Sequence, residues 1–157
     1  MKQIELSAGR GIVLVSDCDF EALSAFRWHL HSAGYAYRAQ KKSGKQTNFL
    51  MHRQIMQPEK SMLVDHINGN RLDNRRENLR LATHAQNACN NAAIVGTSAR
   101  RGVSWHTSRG KWRATIKVDG RARHVGYFAT EDDAAAAYDK AATDLHGEFA
   151  RLNEVQA

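Results

Sequence analysis

The sequence has few cysteines and no long apolar run, and both absences narrow the class of protein. Cys18 and Cys89 form no CxxC pair, so a disulfide framework and a four-thiolate zinc site are excluded. Any bound metal must then be held by oxygen and nitrogen atoms. No segment approaches the roughly 20 apolar residues that span a bilayer, and "GIVLV" at 11–15 is too short for a signal-peptide core. We therefore expect no membrane association and a cytoplasmic protein.

Positive charge is what the chain has in excess. Its 157 residues carry a formal net charge of +7 and the sequence pI is about 9.7. This balance favours a polyanionic partner. Double-stranded DNA is the leading candidate, an anionic membrane surface is the alternative, and no small-molecule substrate is expected. A chain of this length forms either one ordinary domain or two small ones.

The N-terminal part of the chain alternates apolar and polar residues as strands do, at 4–6, 11–15, 27–31 and 35–39. Between these patterns, a spacing of three residues predicts one face of a short helix formed by Phe20, Leu23 and Phe26.

A basic turn, "KKSGK" at 41–45, is predicted to close a hairpin, and "NFLMHRQIM" at 48–56 is predicted to return as a helix. The lysines of this turn either form a solvated loop or contact a phosphate backbone. For residues 1–48 as a whole two roles stay open, namely added contacts or completion of the core.

The segment "VDHINGN" at 64–70 places an acid and a histidine before a turn. Asn68-Gly69 is a strong signal for a two-residue type I′ hairpin, so Asp65 and His66 should lie at the end of a strand. Thr83 and Gln86 form a capping-box pattern that starts a helix with Asn87 in its first turn. The predicted order is a strand, a turn, an irregular segment, the short strand "LRLA" and this helix, which together form a ββα unit.

In a ββα unit, the strand end and the first turn of the crossing helix lie close together. Asp65 and Asn87 can then present two oxygen atoms to one cation, while His66 faces the opening between them. Mg²⁺ prefers oxygen ligands and keeps positions for water and phosphate, and Mn²⁺ would also suit the site. His66, with an ordinary pKa near 6.5, is suited to remove a proton from an attacking water molecule. This chemistry is one-metal phosphodiester hydrolysis.

Residues 51–90, "MHRQIM…VDHINGNRLDNRRENLRLATHAQNACN", resemble the HNH nuclease motif of phage and group I intron homing endonucleases. The resemblance implies Asp65 and Asn87 as metal ligands, His66 as general base, and Asn78 as the middle asparagine that ties the loop to the strand. Asn87 stands where the third letter of the motif expects histidine. His84 is therefore left open as a substitute ligand, with a surface role as the alternative. Another histidine, His52, precedes the motif. Three roles stay open for it: it braces the site, contacts phosphate or packs in the core.

Beyond a linker at 94–100, the chain alternates again in "RGVSWH", "GKWRATIKV" and "RARHVGYF". Gly110 and the "DG" at 119–120 mark the turns of a three-stranded antiparallel sheet, whose inward-facing residues should include Trp105 and Trp112. Thr130 is predicted to cap a final helix that ends at Gly147. Residues 100–128 hold eight cations and one acid, whereas 129–157 hold two cations and seven acids. This segregation favours a sheet whose open face meets phosphate.

Residues 101–153 are similar to the plant ethylene-response-factor (Apetala-two) DNA-binding domain, which lays a three-stranded sheet in the major groove. The shared features include "RGV", "GKW", "GYF" and "GEFARLN". The plant domains carry Arg and Trp at several base-reading positions where this sequence does not, so the plant target sequence is not expected. Carried over by position, the residues that would face DNA are Arg101, Ser104, His106, Arg113, Thr115, Lys117 and His124.

Together these patterns predict an α+β protein. A β-rich HNH nuclease domain at 1–93, with its ββα-metal core at about 49–93, would be followed by a linker at 94–100 and an ethylene-response-factor-type domain at 101–157. The predicted function is site-specific, homing-type cleavage of duplex DNA that leaves a 5′-phosphate and a 3′-hydroxyl, by nicking or by double-strand cutting, as a monomer or a homodimer. If a phage encodes the chain, we expect it near the nucleoid of the host cell. The alternatives are a non-cleaving DNA-binding regulator and a structural RNA-binding protein.

Overall fold

The computed structural model describes residues 1–90, 97–118 and 120–153, and the chain divides into two compact units, Met1–Thr83 and His84–Ala157. The first unit is a mixed α+β structure built from short strands. Its strands are β1 (Lys2–Glu5), β2 (Ile12–Val15), β3 (His29–Leu30), β4 (Ala36–Lys42), β5 (Lys45–Leu50), β6 (Leu63–His66), β7 (Asp73–Asn74) and β8 (Leu79–Ala82); its helices are α1 (Asp17–Ser24) and α2 (Met51–Met56).

The strands of the first unit form small sheets with the orders β1-β2-β7, β3-β4-β5 and β6-β8. Neighbouring strands are antiparallel, except that β7 pairs with β2 in parallel. Their apolar side chains share one core, in which Val13, Val15, Trp28 and Met51 are almost fully buried. Trp28 also satisfies its indole N–H by donating to the Leu23 carbonyl oxygen at 2.8 Å. This core fixes the base of β6, the strand that carries Asp65 and His66.

The bounds of two predicted helices and one predicted hairpin are wrong in this unit. Residues 48–50 continue strand β5, and the helix predicted at 48–56 begins only at Met51. The helix predicted from the Phe20 spacing ends at Ser24, which leaves Phe26 outside it and 40% exposed.

The third error is the two-residue hairpin at Asn68-Gly69. Only Gly69 of this pair has a positive φ, and its N–H donates to the His66 carbonyl oxygen at 2.8 Å to close a turn. The chain then leaves the hairpin direction, because Asp73 and Asn74 pair with β2 instead. Strand β6 therefore finds its partner in β8, across a loop of residues 67–78.

The second unit is a three-stranded antiparallel sheet covered by a helix. It contains α3 (His84–Asn90), β9 (Val103–His106), β10 (Lys111–Val118), β11 (Arg121–Phe128) and α4 (Glu131–His146), with strand order β11-β10-β9. The Thr130 hydroxyl accepts the Asp133 N–H at 3.1 Å, and α4 ends at Gly147. Alanines on α4 let it lie close to Val103, Ala114 and Ile116 in the core. The strands and the final helix agree with the sequence-based expectation.

One predicted core residue is not buried in the second unit. Trp112 packs against the core, but Trp105 is 42% exposed and meets Trp112 edge-on, with the ring centroids 5.3 Å apart. Strand β9 is the edge of this sheet, so one side of the Trp105 ring has no strand to cover it. Asp119 of the predicted "DG" turn and positions 94–96 of the predicted linker lie outside the described residues. Within the described ranges, no helix is long and apolar enough to cross a membrane.

Gly102 provides a test of packing in the second unit. Its φ is +71°, and a Cβ added there would lie 2.1 Å from Tyr138 Cδ2 and 2.7 Å from the Thr115 carbonyl oxygen. We expect Gly102→Ala to lower the free energy of unfolding of this unit by about 2–4 kcal/mol, because strain and overpacking add. Gly110→Ala is the control, since its φ is +57° with open space around it, and should cost about 1 kcal/mol. Equal midpoints of urea denaturation for the two variants would contradict this packing.

Candidate active site

The β6-β8 ladder places an acid and a histidine at the end of a strand. Asp65 lies opposite Arg80, and His66 lies opposite Leu79. Asp65 is only 3% exposed, and its Oδ2 accepts from Arg80 Nε at 2.9 Å and lies 2.8 Å from Arg80 Nη2. A buried carboxylate is costly unless a cation and hydrogen bonds compensate for the lost water. Arg80 supplies this compensation and fixes the direction of the Asp65 carboxylate.

His66 occupies a buried position among polar and aromatic groups. Its Nε2 is 3.4 Å from Asn74 Oδ1. Because an amide oxygen only accepts, this contact requires the proton on Nε2 and makes Nδ1 the acceptor atom. Burial lowers the pKa of His66, against the opposing effects of the Asn74 contact and of the charges on Asp65 and Asp73. The imidazole is therefore neutral at neutral pH, the form that a general base needs.

Asn78 connects the two sides of the loop that follows His66. Its side chain is buried; Oδ1 accepts the Asn68 N–H at 3.0 Å, and Nδ2 donates to the Asp73 carbonyl oxygen at 2.8 Å. The Asp73 carboxylate accepts two hydrogen bonds from the Arg75 guanidinium, at 2.8 and 2.7 Å, and a third from Asn68 Nδ2 at 2.9 Å. The loop is thus held by its own polar side chains.

His52 lies beside His66, from helix α2. The two ring centroids are 5.2 Å apart, nearly at right angles, and Tyr35 lies within 6 Å of both rings. His52 Nδ1 is buried and has no hydrogen-bond partner among the described residues. Burial is the main cause that lowers the pKa of His52 to about 3, and the neighbouring His66 and Arg53 lower it further. His52 is consequently an uncharged ring that packs against the candidate base.

The predicted partner of Asp65 belongs to the other unit. Asn87 is in helix α3 of the second unit, and His84 is the first residue of the same helix. The first unit brings Asp65, His66 and Asn78 together, whereas the pairing of Asp65 with Asn87 stays a prediction. Among the described residues, no group of three or more His, Cys, Asp or Glu side chains is arranged to hold a metal ion.

Sequence reasoning missed Arg80, Asn74 and Tyr35. Arg80 and Asn74 lie within the polar segment "RLDNRRENLRL", but their roles depend on which residue faces Asp65 or His66. For Arg80 the signal is the strand register, because the residue opposite a buried carboxylate is expected to be a cation. For Tyr35, which precedes β4, we find no signal in the sequence.

The open face of the second unit's sheet gathers most of the predicted DNA-facing residues. Ala114 and Ile116 pack toward α4, so Arg113, Thr115 and Lys117 project from the opposite face. Ser104 is registered with Arg113 and its hydroxyl lies 3.3 Å from Arg113 Nη2. Arg113 Nε is buried without a hydrogen-bond partner among the described residues.

Tyr127 is the centre of a cluster on this face that the sequence analysis overlooked. Its ring centroid is 5.1 Å from that of His106 and 4.5 Å from that of His124, and the Arg109 guanidinium lies 4.7 Å above the ring. The strand pairing Arg113↔Tyr127 places the tyrosine on the same face as Arg113. The "GYF" pattern contained the signal, because strand alternation sets Tyr127 against Phe128.

Arg101 lies beside a cavity of about 710 Å³ within the second unit. Cys89, Tyr138 and His146 are among the other residues that line the cavity. Burial lowers the pKa of Arg101, and the nearby Arg151 lowers it further. Asn153 clamps the backbone of Arg101 by accepting its N–H at 2.5 Å and donating to its carbonyl oxygen at 3.3 Å.

Comparison with known proteins places these residues in a family. A family model described as HNH endonuclease matches residues 57–89, which include Asp65, His66 and Asn78. The chain is 31% identical over 155 residues to an uncharacterized HNH endonuclease of Acanthamoeba polyphaga mimivirus, covering 96% of this chain and 79% of the relative. The chain therefore belongs to the HNH endonuclease family.

Other relatives cover less of the chain. Protein 3.8 of Escherichia phage T7 is 35% identical over 96 residues, which is 59% of this chain and 77% of that protein. Two AP2-like ethylene-responsive transcription factors of Arabidopsis thaliana are each 46% identical over 54 residues, which is 33% of this chain and 11% or 9% of their own lengths. No solved structure matches the chain significantly. These relatives support a nuclease that acts on DNA, with viral counterparts.

The depressed pKa of His52 predicts a loss of stability in acid. Between pH 6.5 and 3 the unfolded chain binds a proton at this position that the folded chain does not, so unfolding becomes easier as the pH falls. The contribution is about 1.4 kcal/mol per pH unit within that window. Urea denaturation between pH 4.5 and 7 should show a shallower loss for His52→Phe than for the wild type. An unchanged slope in His52→Phe would contradict the assignment.

Proposed function

We propose that this chain is a site-specific, homing-type HNH endonuclease that hydrolyses duplex DNA and leaves a 5′-phosphate and a 3′-hydroxyl. The observation that carries the proposal is the buried Asp65-His66 pair at the end of β6, with His66 neutral and oriented by Asn74. The proposed nuclease domain is 1–93, with the ββα-metal core at about 49–93, and the proposed DNA-binding domain is 101–157, after a linker at 94–100.

The donor chemistry near Asp65 fits a divalent metal such as Mg²⁺ or Mn²⁺. Asp65 offers a carboxylate and Asn87 an amide oxygen, and a hard cation accepts both kinds of ligand while leaving positions for water and phosphate. His84 is the alternative to Asn87 as the second ligand. When bound, the metal would polarise the scissile phosphate and neutralise charge that develops on the leaving oxygen.

The side chains of the first unit would supply the proton transfer and its support. His66 Nδ1 accepts a proton from a water molecule whose oxygen forms a new bond to phosphorus, as the bond from phosphorus to the 3′ oxygen breaks. The 3′ oxygen takes a proton from solvent. The charges on Asp65 and Asp73, which oppose the lowering of the His66 pKa, favour the imidazolium that results. Asn78 holds the loop after His66 so that the imidazole keeps its direction.

The test is nicking of a supercoiled plasmid that carries the DNA flanking this gene, with Mg²⁺, with Mn²⁺ and with EDTA. We expect metal-dependent open circles that DNA ligase reseals, because ligase joins a 5′-phosphate to a 3′-hydroxyl. His66→Ala should lower the nicking rate by about 10²-fold or more while duplex binding is unchanged. Glu21→Ala, which changes an exposed residue of helix α1, is the control and should nick normally. Linear product would indicate paired active sites, whereas bound but uncut DNA with every metal would favour the non-cleaving regulator.

The second unit is proposed to position the nuclease on duplex DNA through the open face of its sheet. The residues assigned to this contact are Arg101, Ser104, His106, Arg113, Thr115, Lys117 and His124. Cations on this face would displace counterions from phosphate, so binding should weaken steeply with salt. The domain also resembles the plant domains over 54 residues, which supports this role.

A matched pair of double variants tests this surface. Arg113→Gln with Lys117→Gln removes two cations from the open face and should weaken duplex binding by at least about tenfold at 100 mM salt. Arg121→Gln with Arg123→Gln removes two cations that are registered with Val118 and Ile116 on the other face. Fluorescence anisotropy with a mixed-sequence 40-bp duplex measures both. Equal losses of affinity in the two variants would contradict a role for the open face in particular.

A further inference from the structure

Strands β4 and β5 form a two-stranded ribbon whose outer part is exposed on both faces. Six residue pairs join the strands, and the turn between them has positive φ at Ser43 and Gly44, as a type I′ turn requires. Every described side chain between Ala39 and Asn48 is exposed. A two-stranded hairpin contributes little to the stability of a fold when neither of its faces is buried against other elements. Stability of the fold therefore does not explain the length of this ribbon.

The base of the ribbon is anchored to the first unit. The Arg38 guanidinium lies 4.2 Å from the Phe26 ring centroid and 4.5 Å from that of Phe49, and its Nε donates to Gln54 Oε1 at 2.8 Å. The Tyr37 ring packs beside His29 and His31, with centroids 5.6 Å away in each case. These contacts hold the ribbon in a defined direction, which reduces the entropy that a partner would have to offset on binding.

The chemistry of the exposed part suits a polyanion. Residues 22–58 contain six cations and no acidic residue, and three of the six are at the ribbon's end: Lys41, Lys42 and Lys45. The remaining exposed polar residues carry amides or a hydroxyl, the groups that read base edges in a groove. The strand register puts Gln40 with Thr47 on one face, and Asn48 with Gln46 on the other. Both faces therefore present hydrogen-bonding groups.

We propose that the β4-β5 ribbon enters the major groove of duplex DNA and forms a contact separate from the sheet of the second unit. The inference rests on the proposed function, because it names a further surface for the same substrate. The four residue pairs nearest the turn extend about 13 Å. A major groove about 12 Å wide and 8.5 Å deep admits a two-stranded ribbon, whereas a minor groove about 6 Å wide does not. An alternative explanation of the ribbon lysines is that charge on an edge strand prevents association between sheets. That explanation predicts no effect of the lysines on duplex binding.

The first part of the test compares two variants of the full chain with equal charge. Lys41→Gln with Lys45→Gln removes two ribbon cations; Arg10→Gln with Lys60→Gln removes two exposed cations of the same unit outside the ribbon. Binding to a mixed-sequence 40-bp duplex is measured from 50 to 300 mM KCl. The ribbon variant should lose at least about tenfold in affinity, and the slope of log K against log salt should fall by about 1.8, because each phosphate contact contributes about 0.9. The control should keep the wild-type slope.

The second part asks which groove the ribbon enters. Ser43→Cys, in a Cys18→Ser background, puts a thiol at the ribbon's end, and Lys60→Cys in the same background is the control. The duplex probes carry a thiol tether either on cytosine N4, which projects into the major groove, or on guanine N2, which projects into the minor groove. Disulfide cross-linking by Ser43→Cys should favour the N4 probe by at least about tenfold, and the control should cross-link neither.

The outcomes separate this proposal from the proposed function. If the wild type nicks plasmid and binds duplex, but the ribbon variant keeps its affinity and slope, the ribbon contact is overturned and the nuclease stands. Cross-linking that favours the N2 probe overturns the major-groove assignment. If the wild type neither nicks nor binds duplex, both proposals fail.

Discussion

The candidate active site depends on one ion pair, between Asp65 and Arg80. The carboxylate lies at the end of a strand and is almost fully buried, and both nearby guanidinium nitrogens are directed at one of its oxygens. Removing one partner of a buried ion pair costs about 3–5 kcal/mol, because the other charge is left uncompensated. The β6-β8 register that sets these residues opposite each other also carries His66 into its pocket. Strand pairing, charge compensation and the position of His66 are thus a single constraint.

A second set of polar contacts holds the loop that leaves the strand. This loop contains Asp73, Asn74 and Asn78, all of them buried, and it is stabilised by hydrogen bonds among its own side chains and by pairing with β2. Buried polar groups of this kind are stable only when their hydrogen bonds are satisfied. The segment "NRRENL" at 74–79 therefore has a structural reason for its polarity, since its side chains replace the water that the backbone would otherwise need.

Positive charge is distributed over two surfaces that belong to different units. The open face of the second sheet carries Arg113 and Lys117 near the Tyr127 cluster, while the β4-β5 ribbon carries Lys41 and Lys45 on the first unit. If both surfaces contact one duplex as proposed, the two contacts belong to a single chain and each raises the effective concentration for the other. A net charge of +7 alone indicates a polyanion but not where it binds.

The sequence by itself determined the elements whose signals are local. The three strands and final helix of the second unit follow from alternation, glycines at turns and the Thr130 cap, and the strand end at Asp65-His66 follows from the same short-range patterns. Features that depend on pairing between residues far apart in the sequence were decided only by the tertiary structure. The turn at Asn68-Gly69 does not make a two-residue hairpin, because β2 takes Asp73 and Asn74 as partners, and β6 pairs with β8 instead. Arg80, Asn74 and Tyr35 join the site, and Trp105 stays exposed at a sheet edge, for the same reason: long-range contacts decide which neighbour each side chain meets.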